Sequence, residues 1–233
     1  MTNLHKQNII SWKQFILGIL VISFFLPIIL GIPIKLVFSS NTIKQSFNNS
    51  SLEILKNFSW DLAMLSVTLY VILKYKPFYN LILSTLNIKP LYRGKTYLYI
   101  LIAIISTSLL ADATFLISNE YANIQATDLG IDTLSEQSFT IYAIAIISIV
   151  LLGPIFEEIL YRGIILRFLE IRYSFFTGLI ISSLLFGLAH DYDLAFIIFA
   201  TLSGIIDGLL YKKTNSIIPV LIGHMTYNLY TFI

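Results

Sequence analysis

No cysteine occurs anywhere in the chain, so disulfides, thiolate metal ligands and a cysteine nucleophile are excluded by arithmetic. Charge is almost as scarce. Only 12% of the residues are Asp, Glu, Lys or Arg, about half the share of an ordinary soluble domain. Internal repeats and low-complexity segments are missing too, and with them the paired broken helices of a transporter built from inverted repeats. Histidine is confined to three positions. The formal net charge of +2 says nothing about partners by itself, and no nucleic-acid partner is expected.

Apolar residues fill the space. They make up 57% of 233 residues, with a mean hydropathy of +0.82, a composition that belongs to polytopic membrane proteins. The expected fold is all-α, a transmembrane helical bundle of about seven spans. A first span over Phe15 to Phe38 follows a short segment carrying Lys6 and Lys13. It lacks the short apolar core and small-residue cleavage site of a removed signal peptide, and Pro27 and Pro33 should kink it. Ser39 to Ser51 reads as a loop, and a second span lies in Leu52 to Leu73, interrupted by Glu53, Lys56 and Asp61. Lys74 to Lys95 is basic, with Pro77 and Pro90 as breakers and an amphipathic piece suited to the interface.

A third span, Thr96 to Ser118, carries Asp112, and an acidic loop, Asn119 to Glu136, follows it. The fourth starts near Phe139, is interrupted at Gly153-Pro154 and runs to about Glu170, longer than the ~30 Å hydrocarbon core. Spans five (Ser174 to Ala189), six (Leu194 to Tyr211) and seven (Ile217 to Ile233) are joined by short turns. The basic loops alternate with acidic ones that hold Glu120, Asp128, Asp132, Glu136, Asp191 and Asp193. That alternation predicts a cytosolic amino terminus and an external carboxyl terminus. Residues 1–140 form amino-terminal helices without a diagnostic motif, and residues 141–233 hold the chemistry.

Chemistry is concentrated in Gly153-Pro-Ile-Phe-Glu157-Glu158-Ile-Leu-Tyr-Arg162-Gly163. A charged side chain inside a bilayer costs about 2.5–3.5 kcal/mol on the most lenient scale, so two acids and an arginine there must pair or work. On a helix Glu158 and Arg162 are four apart and share a face, acid before base, the favoured order for an ion pair. Glu157 points about 100° away, so one acid is left available for chemistry.

Beyond His5 in the polar amino terminus, the histidines are His190, in Phe186-Gly-Leu-Ala-His190, and His224, in His224-Met-Thr-Tyr-Asn228. The spacing in the second motif puts His224 and Asn228 on one helical face. Measured from the turn near Arg172, Glu158 and His190 lie roughly 21 and 27 Å along their helices. From the turn near Thr214, His224 and Asn228 lie roughly 15 and 21 Å along theirs. All four groups therefore fall in one layer.

Glu, His, His and Asn converging in a membrane suit hydrolysis of an amide or ester: a glutamate as general base on water, a histidine to relay the proton, His and Asn as oxyanion donors. The same residues could hold Zn2+, with His190, His224 and one glutamate, Glu158 for example, as ligands and the other glutamate as base. The stronger zinc signature, His-Glu-x-x-His, is missing.

Glu157-Glu158-x-x-x-Arg162, Phe186-x-x-x-His190 and His224-x-x-x-Asn228, in this order, resemble the type II CAAX prenyl endopeptidase and bacteriocin-processing (CPBP, or Abi) family of intramembrane proteases. The resemblance covers about Ile141 to Asn228. It implies that Glu157 or Glu158 activates water with His190 and that His224 and Asn228 form the oxyanion hole. The family was first labelled metalloprotease, and the reading favoured here is a metal-free, glutamate-dependent mechanism, with Zn2+ as the alternative. Arg162 would orient a glutamate and Phe186 would pack the wall of the site. Seven spans depart from the eight of some relatives. The implied substrate is a membrane-associated peptide or protein, in bacteriocin self-immunity, peptide maturation or membrane-protein turnover, with prenylated substrates and oligomeric state left open. The rival reading is a membrane immunity protein that binds without cleaving. Asp207, beside Gly204 and Gly208, reads as a residue that glues helices together.

Overall fold

The computed structural model describes residues 10–232; His5, Lys6 and Ile233 lie outside them. Ten helices and two short 3-10 turns make up the described chain, and it contains no strand. Helix α1 spans Trp12–Ser39 and starts at a capping box, in which Ser11 and Gln14 exchange side-chain and backbone hydrogen bonds. It runs through both prolines as one helix. A π turn over Val21–Phe25 precedes Pro27, and the Leu26 N–H reaches back to the Val21 carbonyl. The wider turn accommodates the N–H that proline lacks.

After α2 (Asn41–Ser46) and α3 (Asn49–Lys74), the basic segment forms α4 (Lys76–Leu83). Its buried Phe78 fills the space beside Gly18 of α1. Helix α5 is Gly94–Ile117. The stretch expected as an acidic loop is largely helical instead, as α6 (Glu120–Leu129). Glu120 lies in its first turn, where an acid favours a helix start. Gly130 ends it at φ 72°, a left-handed conformation that suits glycine, and packs against the start of α3.

Helix α7 spans Phe139–Arg172, so the interruption expected at Gly153-Pro154 does not occur. A π turn over Ile147–Leu152 absorbs the proline, with the Gly153 N–H bonded to the Ser148 carbonyl. A second π stretch covers Ile159–Leu166, just past the paired glutamates. Helices α8 (Phe175–Leu188), α9 (Leu194–Thr214) and α10 (Ile217–Phe232) complete the bundle. The crossings are close because glycines face backbone or small side chains: Gly178 against the Leu166 carbonyl, Gly204 against Ser183, and Gly187 against Thr201.

Four helices, α1, α5, α7 and α9, are long and apolar enough to cross a membrane. The other three expected spans exist as helices that do not meet that standard alone. Helix α3 carries Glu53, Lys56 and Asp61. Helices α8 and α10 have 14 and 16 residues, roughly 21 and 24 Å of rise against a ~30 Å core. Exposed apolar side chains such as Ile28, Ile29, Ile32 and Leu36 cover the outside of α1, as lipid contact requires. The fold is a polytopic helical bundle of a multi-pass membrane protein.

Candidate active site

Helices α7, α8 and α10 and the turn that follows α8 bring together six of the seven sequence-identified residues. Glu158 and Arg162 pair at 2.8 Å with side chains 0% and 1% exposed. The pair follows from their spacing on one helix face. The arginine's other nitrogen reaches α9, to the Gly204 carbonyl at 3.2 Å and Asp207 Oδ2 at 3.4 Å. Its guanidinium also lies over the Phe186 ring, 4.7 Å from the centroid. One arginine thus ties three helices together among buried partners.

Glu158 Oε1 also accepts from His224 Nδ1 at 3.0 Å, while its Oε2 is buried and has no partner among the described residues. Glu157, one residue earlier, turns the other way and keeps 22% of its side chain exposed. Its two oxygens face the two histidines, Oε1 at 3.7 Å from His190 Nε2 and Oε2 at 3.6 Å from His224 Nε2. His190 Nδ1 lies 2.8 Å from the Phe186 carbonyl. A carbonyl only accepts, so Nδ1 carries the proton in that bond, and the bond fixes the ring with Nε2 toward Glu157. Phe186 is the wall between these groups, its ring centroid 4.6 Å from that of His190 and 6.2 Å from that of His224.

Asn228 is the seventh residue. It faces the same cavity, but its Nδ2 donates to the Ile149 carbonyl at 3.0 Å. In the π register of that turn Ile149 would take its hydrogen bond from residue 154, which is proline and has no N–H. Asn228 therefore fills a vacancy that Pro154 creates. An amide nitrogen has two hydrogens, and the second is left for the cavity.

The cavity measures about 550 Å³, and Glu157, His190, His224 and Asn228 line it together with Asp61 and Ser148. Tyr192, in the turn after His190, lines it as well. Burial first, then the negative charges of Asp128, Glu157, Asp191 and Asp61, push its phenol up to about 12, so it stays a hydrogen-bond donor at neutral pH. Reading the sequence missed Asp61 and Asp207 as members of this region. The signal was available, because an ionisable residue inside a membrane helix marks a functional site by default.

Zinc fits this arrangement badly. Among the described residues, the ligand atoms that gather within 4.8 Å belong to Glu158, Asp207 and His224, not to the set of Glu158, His190 and His224. Arg162 already sits on both of those carboxylates, so a cation occupies the charge that a metal would need.

Residues 139–230 match the family model described as "Type II CAAX prenyl endopeptidase Rce1-like". A protein of Bacillus subtilis (strain 168) named "Putative membrane peptidase YdiL" is 35% identical over 83 residues, which cover 36% of this chain and 34% of that protein. The chain thus spans about a third of the length of the curated relative that it matches. No solved structure matches it.

Proposed function

From the match of residues 139–230 to the Rce1-like type II CAAX prenyl endopeptidase family model, we propose that this protein is an intramembrane endopeptidase that hydrolyses a membrane-associated peptide or protein with activated water. Glu157 carries the proposal, because it is the acid that faces the cavity between two imidazoles. Separations of 3.6 and 3.7 Å are too long for direct hydrogen bonds and suit a water shared between carboxylate and ring. In this reading Glu157 takes a proton from that water, and the hydroxide adds to the scissile carbonyl. The proton then passes to the leaving amine, with His190 holding the water and relaying it. His224 and the second N–H of Asn228 donate to the oxyanion. Glu158 and Arg162 position His224 from behind. No metal enters any step.

The core of this activity is residues 141–233. Its setting is the cell membrane, with the amino terminus cytosolic and the carboxyl terminus outside. Its biological use is bacteriocin self-immunity or peptide maturation. Because the chain has no cysteine, single cysteines at Thr214 and after Ile233 report orientation cleanly. Protection of Thr214 and labelling of the terminus from outside are the expected pattern, and the reverse would overturn the topology.

The catalytic test is to replace Glu157, His190 or His224 singly with Gln or Ala in protein that still inserts, and to compare peptides released from membranes by mass spectrometry. Base and oxyanion contributions are each worth about 10²–10⁴ in rate, so the wild-type-specific peptides should vanish. If wild-type and Glu157→Gln cells release the same peptides, the protein binds rather than cleaves.

A further inference from the structure

Asp61 is a carboxylate that the hydrolytic mechanism leaves unused. It lies mid-way along α3, where a charged side chain is expensive unless it is paired or working. Its Oδ2 accepts a hydrogen bond from Ser148 Oγ at 2.5 Å. Among the described residues it belongs to no ion pair. Glu158 and Asp207, by contrast, both pair with Arg162.

Asp61 and Ser148 both line the cavity that holds Glu157, and no Lys or Arg lines it anywhere. Phe115, Tyr121, Tyr192 and Phe196 contribute aromatic faces to the same cavity. An acid without a counter-ion, set among aromatic walls, is the chemistry that recognises an organic cation. The connecting segments 119–136 and 189–193 add acids and no Lys or Arg.

Resting on the proteolytic reading, we infer that Asp61, held by Ser148, forms a specificity subsite for the ammonium or guanidinium group of a substrate lysine or arginine. The register also follows. Ser148 stands nine residues before Glu157 on α7, roughly 13 Å of helix, which an extended peptide covers in about four residues at ~3.3 Å each. The preferred substrates therefore carry a basic residue within about four positions of the scissile bond.

Binding tests this without cleavage. The probes are fluorescent apolar heptapeptides bearing one lysine, norleucine or glutamate at each position in turn, titrated against Glu157→Gln protein in nanodiscs. At the best position the lysine peptide should bind at least tenfold tighter than its norleucine twin, and the glutamate peptide weakest. Asp61→Asn, added to this background, should abolish that preference while norleucine binding stays the same, which also certifies the fold. Asp61→Lys should reverse the preference toward glutamate. Equal binding of lysine and norleucine peptides at every position, or a preference that survives Asp61→Asn, overturns the subsite. Because the readout is affinity, the subsite can fail while wild-type protein still cleaves, and it can stand if cleavage is never found.

Discussion

Removing the Arg162 guanidinium should unfold this protein more effectively than any other single truncation near the site. Arg162→Met keeps most of the side-chain volume but strands Glu158, fully buried, and Asp207 across the helix interface. It also leaves the Gly204 carbonyl without its donor. Breaking one buried ion pair by deleting one partner costs about 3–5 kcal/mol, and here one deletion leaves two acids. The expected loss is therefore at or above the upper end of that range.

Unfolding in mixed micelles, titrated with a denaturing detergent and followed by circular dichroism, gives the number. Neutralising the stranded acids at the same time, in Arg162→Met with Glu158→Gln and Asp207→Asn, should restore much of the stability, because replacing a whole buried charge network is often close to neutral. Arg162→Lys should fall between wild type and Arg162→Met, since an ammonium cannot span two carboxylates in a fork. A single Arg162→Met that unfolds within about 1 kcal/mol of wild type, the scale of an exposed pair, would refute the network as a structural element. A triple variant no more stable than the single one would refute charge stranding as the cause.

Asn228→Ala should lower the cleavage rate about 10²–10³-fold as one oxyanion donor is lost, and by leaving the Ile149 carbonyl unpartnered it should also cost about 1–3 kcal/mol of stability; a rate loss without a stability loss would separate the two roles. Gly178→Ala should destabilise the α7–α8 contact by about 1–3 kcal/mol, because its new methyl would lie 2.7 Å from the Leu166 backbone oxygen, and unfolding titration measures it. Activity of the purified protein should survive thorough chelation, with no stoichiometric zinc by elemental analysis. Loss on chelation with recovery on added zinc would reassign Glu158, Asp207 and His224 as ligands.

Relations within one helix were legible in the sequence, because a 3.6-residue period fixes angles along it. The Glu158–Arg162 pair and the divergence of Glu157 from Glu158 are of this kind. So are the helices themselves, since an apolar run in a bilayer has few other ways to satisfy its backbone. Where the period itself changed, the sequence misled: Pro154 suggested a break, and a π turn instead carried α7 through it.

Relations between helices were decided by tertiary packing. Depth counted in residues put the histidines near the glutamates, but rotation of α8 and α10 about their own axes determined that both rings face Glu157 while only His224 reaches Glu158. The close crossings of α8 at Gly178, Gly187 and Gly204 are a property of which surfaces meet rather than of either helix alone. Asp207 read as a residue that glues helices together, but its partner, Arg162, was fixed only when α9 packed against α7. Asp61 looked like a flaw in the second span until α3 laid it beside Ser148 at the wall of the cavity. Sequence determines which charges a helix carries and on which face; only the assembled bundle decides which of them cancel and which remain to act on a substrate.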